Sequence, residues 1–442
     1  MAKRKSSPAG NASQITPEDR ERPRIVFLHF TAPPIVGGVE AVIAEHIRLF
    51  SEAGYRTLII TGRDGHARHN GLGKVKVIPE MDSENAAYLG IIPDIESGEV
   101  PEEFRGLQTQ IQSRLAHALR PTDVVIAHNI LTTDFNLALT AAVHRLAEHG
   151  ELERLIVWCH DISKHVNPQR EAPQYHGFPW DLLRTRIRSA SYVAVSSARQ
   201  QALAGILGCP AETIKVVPNG VDAGQLLGLS PLGARLIEEY GLFSADLILL
   251  MPVRITRAKN IEFALQVAHA IKESGRTLRL VITGPPDPHA ADIQDYYRGL
   301  VAQREMLGLH DDVIFVHEGT SGHPAVLLLD AAVVGELYRI SDLILMPSLR
   351  EGFGMPVLEA GLVDRPVFAT STPVTQELPE FSVLIGQEES AESVARRILQ
   401  WADTDAAHRL RVEVRSHYTW SRIFERQIFP LVESVAMQGA DV

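Results

Sequence analysis

Short apolar runs alternate with longer amphipathic stretches along most of this chain. The first run, RIVFLHF at residues 24–30, is almost continuously apolar, which is typical of a β-strand covered on both faces. The next stretch, VEAVIAEHIRLFSEAG at residues 39–54, repeats its apolar positions at helical spacing and ends at a glycine. These patterns predict a strand followed by an amphipathic helix.

The same alternation continues through both halves of the chain. Further apolar runs of strand length include TLIIT, DVVIAH, LIVWC, DLILLM, LRLVIT and DLILMP. We count about seven predicted strands before Asn219 and about six after Asp246. Alternating strands and helices indicate parallel sheets, and a single sheet of all these strands would exceed the usual limit of about ten. The sequence therefore predicts an α/β protein with two doubly wound, parallel-sheet domains.

Glycine and proline cluster between Pro218 and Gly233, which favours a domain boundary in this segment. We predict an N-terminal domain over residues 23–225 and a C-terminal domain over residues 226–417. Residues 1–22 are polar and charged, so we expect a disordered tail and no signal peptide there. Residues 418–442 carry an amphipathic helix, and no apolar window reaches the roughly 18 residues of a transmembrane helix.

Charge and cysteine content narrow the classes of function. The formal net charge of −11 argues against a nucleic-acid partner, because neutralising phosphates requires a basic face. The two cysteines, Cys159 and Cys209, lie beside apolar segments and lack metal-ligand spacing. A disulfide framework is therefore not expected, and a reducing, cytoplasmic location is the simpler interpretation. The sequence carries no signal for the oligomeric state.

Three constellations follow predicted strands, where parallel sheets bind their ligands. The first contains Gly37 and Gly38, in PPIVGGVE before a helix. Glycines let a ligand approach the backbone, and the helix N-terminus suits a phosphate, although two glycines can equally form a plain tight turn. The GxGxxG dinucleotide fingerprint is absent from this segment, which argues against a nicotinamide-dependent dehydrogenase.

The second constellation contains Arg254 and Lys259, in PVRITRAKN. A guanidinium fork and an ammonium point charge at a strand end suit a diphosphate, whereas the alternative is an ordinary solvated basic loop. Arg257, between them, is interpreted as a generic surface cation. No Asp-x-Asp stands where a metal–diphosphate bridge would need it. We therefore expect no required cofactor and no resident metal, although Mg²⁺ is compatible with such a site.

The third constellation is LREGFGMPVLEAG at residues 349–361. Gly352 and Gly354 begin a predicted helix, and Glu359 lies about two turns into it. Glu351 and Glu359 can accept hydrogen bonds from vicinal hydroxyls, which sugars and riboses provide. The alternative interpretation is a solvated helix that begins with glycines, because acidic residues are common near helix N-termini.

These motifs together resemble those of retaining glycosyltransferases of the family 4 type. Glu351 to Glu359 resembles the family's Glu-x7-Glu signature, and Arg254 with Lys259-Asn260 resembles its Arg-x4-Lys-Asn clamp. Residues 37–40 resemble its Gly-Gly-x-Glu loop, and residues 218–222 its Pro-Asn-Gly-Val-Asp motif. The motifs occur in the family's order and extend over nearly the whole chain after residue 22. The resemblance implies a GT-B fold, with two Rossmann-like domains facing a cleft.

The resemblance also implies a role for each site residue. Arg254 and Lys259 would bind the donor diphosphate, and Glu359 would bind the ribose hydroxyls. Glu351 would contact the transferring sugar. Backbone amides would assist it, at Gly352, Phe353 and Gly354.

On the acceptor side, the resemblance implies that Gly37 and Gly38 let the loop approach the sugar and phosphates. His160, at the end of the run LIVWCH, would face the donor sugar, whereas the alternative is a packed core histidine. His128 and Asn129 end the preceding strand, where contact with the acceptor and a structural role are both open. The C-terminal helix would pack back on the N-terminal domain.

The implied function is retaining transfer of a hexosyl group from a nucleotide-sugar, GDP-mannose or UDP-glucose, to an acceptor hydroxyl. The acceptor would be a small soluble molecule or a glycoside, with polysaccharide or glycolipid assembly as the alternatives. A nucleotide-sugar epimerase of the same fold and a non-catalytic nucleotide-sugar binding protein are the alternatives. One departure from the family is Thr372-Pro373, where relatives often carry two glycines.

Overall fold

The computed structural model describes residues 22–33, 37–64, 73–290, 292–319 and 329–438. The chain divides into two compact units, of which the first comprises Met1–Gly220 with Trp420–Val442 and the second comprises Val221–Thr419. The predicted tail over residues 1–22 lies outside the described residues except for Arg22. The chain passes from the first unit to the second after Gly220 and returns to the first after Thr419, whereas we predicted boundaries at residues 225 and 417.

The first unit is built on a seven-stranded sheet in the order β3-β2-β1-β4-β5-β6-β7, and all its pairings are parallel. The central strands β1, β4 and β5 are buried along their whole length, as their continuous apolar runs predict. The strands are β1 Ile25–Thr31, β2 Thr57–Arg63, β3 Lys74–Val77, β4 Val124–His128, β5 Leu155–Cys159, β6 Ser191–Ala194 and β7 Ile214–Val216.

Helices connect these strands and cover both faces of the sheet, so that two apolar clusters flank it. Polar side chains begin several of the helices, as with Asn85, which accepts from the N–H groups of Ala87 and Tyr88. The helices of this part of the chain are α1 Gly38–Glu52, α2 Ala86–Ser97, α3 Glu102–Ala118, α4 Leu137–Glu148 and α5 Ser197–Leu207.

The second unit contains a six-stranded parallel sheet in the order β10-β9-β8-β11-β12-β13. The strands are β8 Leu247–Met251, β9 Leu278–Ile282, β10 Val313–Phe315, β11 Leu343–Met346, β12 Val367–Ala369 and β13 Val383–Leu384. The helices are α6 Ala223–Leu227, α7 Pro231–Glu239, α8 Ile261–Glu273, α9 Ile293–Met306, α10 Ala331–Ile340, α11 Met355–Leu362, α12 Pro373–Glu377, α13 Ala391–Thr404 and α14 Ala406–His417. The predicted architecture of two doubly wound parallel sheets is confirmed.

A buried ion pair ties α14 to the second sheet. Asp342, just before β11, is fully buried, and both its oxygens accept from Nη1 of Arg415 at 2.8 Å. Nη2 of Arg415 donates to the carbonyls of Ala245 and Asp246 at 2.8 and 2.9 Å. Burial alone would raise the pKa of Asp342, but His408 and Arg415 outweigh it and lower that pKa.

The C-terminal segment is interrupted rather than one continuous helix. It comprises α15 Trp420–Ile423, a π-helical turn Phe424–Ile428 and α16 Phe429–Met437. Pro430 has no N–H to donate to the preceding turn, which explains why the regular hydrogen-bond ladder is broken there. The apolar side of this segment packs against the first sheet and α1. No helix among the described residues is long and apolar enough to cross a membrane.

Candidate active site

Two of the sequence motifs follow neighbouring strands of the second sheet. Strands β8 and β11 pair with each other, and the chain order reverses between them. Such a reversal creates a crevice at the carboxyl ends of the strands. The loop after β11 is attached to the turn Arg257–Lys259 after β8, because the Leu349 N–H donates to the Ala258 carbonyl at 2.8 Å.

Lys259 and Glu351 meet in this crevice. Nζ of Lys259 donates to Oε2 of Glu351 at 2.6 Å, and the Ser348 hydroxyl donates to the same oxygen at 3.3 Å. The two side chains of the ion pair are only 19% and 13% exposed, so solvent screens their attraction less than at an open surface. The structure therefore brings the second and third sequence motifs together.

The two arginines between β8 and α8, Arg254 and Arg257, differ in their surroundings. Arg257 pairs with Asp292 at 2.9 Å and lies over the Tyr296 ring, 4.6 Å from its centroid. Arg254 is exposed and makes no hydrogen bond or ion pair with any described residue. The segment that contains Gly284 passes close to Arg254, and it can do so because a Cβ at position 284 would lie only 2.7 Å from Cα of Arg254. Arg254, just before this turn, is therefore available to an anionic ligand, whereas Arg257 is already paired.

Backbone amides line the approach to α11. Gly354 adopts φ +103°, and a Cβ there would come within 2.7 Å of Cγ1 of Val374, so the position requires glycine. Gly352 has open space where its side chain would be. The N–H groups of Gly352, Phe353 and Gly354 donate to none of the described residues. They remain available to a ligand at the positive end of α11.

Glu359 lies in the second turn of α11, which begins at Met355 rather than at the glycines. Its side chain is exposed, and Oε2 accepts a hydrogen bond of 2.5 Å from the hydroxyl of Tyr338, on α10. Tyr338 is itself buried, 3% exposed. The carboxylate is thus oriented by a fixed neighbour, and its other oxygen stays open.

The loop that departs from the family pattern has a structural function. The side chain of Thr372 caps α12 and forms a capping box with Thr375. The Thr370 hydroxyl donates to the Ser348 carbonyl at 2.5 Å, which attaches this loop to the one that carries Glu351. The Thr-Pro pair is therefore compatible with an ordered loop beside the crevice.

In the first unit, the glycine loop follows β1, and residues 34–36 of this loop lie outside the described residues. A Cβ on Gly37 would lie 2.1 Å from Oε2 of Glu40, whereas Gly38 has open space around its Cβ position. Glu40 accepts a hydrogen bond from the Thr31 hydroxyl and lies 3.8 Å from Nε2 of His29. Gly37 thus accommodates the glutamate, and Gly38 leaves room for a ligand.

His160 follows β5 and is held from the neighbouring strand β4. The ring nitrogen Nε2 of His160 lies 2.9 Å from Nδ1 of His128, and the backbone N–H of His160 donates to Oδ1 of Asn129 at 2.8 Å. Burial, and then the nearby His29, lower the pKa of His160 to about 3. His128 and Asn129 are 0% and 2% exposed and both hydrogen-bond His160, which favours the structural one of the two roles that we predicted for them.

Comparisons with known proteins agree with this arrangement. A family described as Glycosyltransferase Family 4 matches residues 36–225, and one described as Glycosyl transferases group 1 matches residues 234–416. The chain belongs to the family 4-type glycosyltransferases. The two matches follow one another along the chain and correspond to its two doubly wound units, which are the components of a GT-B fold.

Among the relatives of this glycosyltransferase is the mannosylglucosylglycerate synthase of Thermotoga maritima, 23% identical over 65% of this chain and 66% of the relative. The alignment thus spans just under two thirds of that relative's length. The D-inositol 3-phosphate glycosyltransferase of Pseudarthrobacter chlorophenolicus is 24% identical over 76% of this chain and 74% of its own. A crystal structure of a glycosyltransferase from Rickettsia africae aligns with 95% of this chain and 100% of its own, at 16% identity and a TM-score of 0.38.

Two residues of this glycosyltransferase site could not be found from the sequence. Ser348 and Tyr338 each bond one of the two signature glutamates, but neither stands in a spacing that indicates chemistry. Asn129, by contrast, was a candidate from its place at the end of a strand, where it adopts a positive φ of 61° that asparagine tolerates more readily than most residues.

A separate cavity of about 230 Å³ lies away from the signature glutamates. Its lining includes Asp246, Arg276 and His408, around α13, α14 and the beginning of β8. Because the ligand crevice of a doubly wound sheet is at the carboxyl ends of the strands, this cavity is not part of the candidate donor site.

Proposed function

We propose that this protein is a retaining hexosyltransferase that moves a hexosyl group from a nucleotide-sugar to an acceptor hydroxyl. The single observation that carries the proposal is the 2.6 Å contact between Lys259 and Glu351 at the carboxyl ends of β8 and β11. A cation for a diphosphate and a carboxylate for a sugar lie side by side there. The unpartnered Arg254 and the open side of Glu359 extend this arrangement.

The diphosphate would bind to the cations and amides of the crevice. An ammonium group has three N–H donors, so Lys259 can hold Glu351 and still donate to a phosphate oxygen. Arg254 would add a guanidinium fork. The N–H groups before α11 and the positive end of that helix would favour the negative charge that develops on the leaving diphosphate.

The two glutamates would orient the hydroxyl-bearing parts of the donor. Oε2 of Glu351 is occupied by Lys259 and Ser348, which leaves Oε1 for hydroxyls of the transferring sugar. Oε2 of Glu359 is occupied by Tyr338, which leaves Oε1 for the ribose. His160, in the first unit, would hydrogen-bond the transferring sugar, as the resemblance implies.

Retention follows from a front-face reaction in this proposal. The acceptor oxygen forms a bond to the anomeric carbon as the bond to the diphosphate oxygen breaks, and the acceptor proton passes to that departing oxygen. Glu351 would act by binding and not as a nucleophile, because Lys259 and Ser348 already engage its carboxylate. No metal is needed for charge neutralisation in this scheme, because Arg254 and Lys259 can supply it.

GDP-mannose and UDP-glucose are the proposed donors, and a small polar molecule is the proposed acceptor. The acceptor class is supported by two relatives, whose names refer to mannosylglucosylglycerate and to D-inositol 3-phosphate, both small and hydroxyl-rich. We propose a cytoplasmic location, since both cysteines are free thiols and nucleotide-sugars are intracellular compounds.

Thermal shift with a panel of UDP-, GDP- and ADP-sugars tests the donor site. One donor class should raise the melting temperature of the wild-type protein, since a ligand that binds only the folded state stabilises it. Arg254→Ala should abolish most of that shift, and Arg257→Ala, three residues away with the same charge removed, should keep it. If no nucleotide or nucleotide-sugar stabilises the protein at millimolar concentration, or if both variants respond equally, the donor-site assignment is wrong.

A further inference from the structure

Four buried histidines lie together in the first unit, on β1, α1, β4 and the end of β5. They are His29, His46, His128 and His160, and none is more than 7% exposed. The ring centroids of His128 and His160 are 5.2 Å apart with 22° between the ring planes, and those of His128 and Trp158 are 5.7 Å apart. Among the described residues, no three potential ligands converge as around a metal ion.

A hydrogen bond joins two of these rings and can exist in two forms. Nδ1 of His128 and Nε2 of His160 are 2.9 Å apart, so one nitrogen carries the proton and the other accepts it. In one form His128 is the donor, and a neutral His160 then has its own proton on Nδ1. In the other form His160 is the donor, and its Nδ1 is a basic lone pair.

The environment of His128 selects between these forms. Its second ring nitrogen, Nε2, is buried and has no hydrogen-bond partner among the described residues. If the proton were on Nε2, a buried N–H donor would be unpaired, which is rare in folded proteins because it carries the full desolvation penalty of that group. If the proton is on Nδ1, Nε2 has only an unpaired lone pair, which is better tolerated. The donor in the hydrogen bond is therefore His128.

The surrounding groups keep His160 neutral. Burial lowers the pKa of His46 and of His160 to about 3, and it also holds the pKa values of His29 and His128 below their ordinary value. Glu40 lies 3.8 Å from Nε2 of His29 and is not hydrogen-bonded to His160, and the carboxylate of the adjacent Asp161 pairs with Arg199 at 2.8 Å. His160 is thus an uncharged ring at neutral pH.

We propose that His128 is a positioning residue that fixes His160 as the Nδ1–H tautomer, so that His160 offers its substrate a hydrogen-bond donor and not a base. Asn129 also helps to position His160, because its Oδ1 accepts from the backbone N–H groups of both His160 and Asp161 and so fixes the backbone that carries the His160 ring. Nδ1 of His160 makes no hydrogen bond to a described residue. The identity of the substrate as a donor sugar rests on the proposed function, whereas the tautomer does not.

Nitrogen-15 NMR of the histidine rings tests this proposal directly. The signals of His160 are assigned as those lost in His160→Gln. Between pH 6 and 8 we expect its Nδ1 to be protonated and its Nε2 unprotonated. His128→Phe retains an aromatic ring but removes the donor, and it should shift the proton of His160 towards Nε2. His128→Asn, whose amide can donate from nearly the same place as Nδ1, should restore the wild-type tautomer.

Sugar transfer gives the second measurement. His128→Phe should lower kcat about tenfold, the value of one hydrogen bond in the transition state, and His128→Asn should recover most of it. His46→Phe is the matched control, because the His46 ring is buried in the same cluster but makes no hydrogen bond to His160. In this variant the ring signals of His160 and the kcat should stay at wild-type values.

The proposal is overturned if His160 carries its proton on Nε2 in the wild-type protein. It is also overturned if His128→Phe has the same His160 tautomer and the same kcat as the wild type. If the wild-type protein transfers no sugar, the proposed function fails, and the ring signals still decide whether His128 sets the tautomer.

Discussion

Each of the two signature glutamates accepts a hydrogen bond from a residue outside the sequence motifs, Glu351 from Ser348 and Glu359 from Tyr338. Tyr338 is buried, and its hydroxyl bonds the exposed Glu359 at 2.5 Å; burial and this carboxylate together raise the pKa of the tyrosine. A phenol that stays protonated is a permanent donor. It therefore orients the carboxylate of Glu359 at neutral pH.

We predict that Tyr338→Phe weakens nucleotide binding about tenfold, or about 1.4 kcal/mol, because Glu359 loses the partner that aims it at the ribose. Isothermal titration calorimetry with the preferred nucleoside diphosphate measures this loss. The 2′,3′-dideoxy analogue is the control, since it has no hydroxyls for Glu359 and should bind both proteins equally. An equal loss of affinity for both nucleotides would mean that Tyr338 acts through general packing.

The functional residues of the site could be predicted from the sequence where their motif directly follows a predicted strand, because the strand end then gives their position in the fold. Arg254, Lys259 and Glu351 follow predicted strands, so their meeting at one sheet edge was foreseeable, although Lys259 and Glu351 are 92 residues apart. The pairing of His128 with His160 depends on the adjacency of β4 and β5 and on ring orientation. No spacing along the chain contains that information.

At the scale of elements, long buried strands were predictable and short or interrupted elements were not. The runs that form β1, β4, β5 and β8 are continuously apolar because both faces of each strand are covered. β13 has two residues, too few for a periodic pattern. In the C-terminal helix we overlooked the effect of Pro430, although a proline inside a helical pattern indicates a break or distortion.

The ion pair between Asp342 and Arg415 holds one element in place, and its loss should be costly. We predict that Arg415→Met destabilises the second unit by about 3–5 kcal/mol, because Asp342 would remain buried without its main counter-charge. Arg411→Met is the control, since Arg411 is partly exposed and 3.6 Å from the same carboxylate, and it should cost less than about 1 kcal/mol. Urea denaturation followed by circular dichroism compares the two; equal losses would contradict a specific role for Arg415.

For the whole molecule, the buried histidines predict sensitivity to acid. In the unfolded chain they bind protons near pH 6.5, whereas in the folded protein His46 and His160 do so only near pH 3. Between these values the unfolded state binds more protons, so stability falls as the pH decreases below about 6.5. Each such group contributes up to about 1.4 kcal/mol per pH unit.

His46→Phe should flatten this dependence, because it removes one titrating ring and leaves the aromatic contacts with Trp158 and Trp420 available. Urea denaturation at pH 7, 6 and 5, followed by tryptophan fluorescence, measures the slope, since Trp158, Trp180 and Trp420 all belong to the first unit. A variant as acid-sensitive as the wild type would show that His46 is protonated in the folded protein.

Glycosyl transfer at the Lys259–Glu351 site is the claim on which the proposed function depends. The most direct measurement is a proton NMR time course of the preferred nucleotide-sugar with small polyol and glycoside acceptors, for the wild type and for Lys259→Met. We expect the donor's anomeric signal to be replaced, only when acceptor is present, by a product signal of the same anomeric configuration. Lys259→Met should lower the rate at least a hundredfold, or about 2.7 kcal/mol of transition-state stabilisation. Conversion of the donor without acceptor, an inverted product, or an unimpaired Lys259→Met variant would contradict this account.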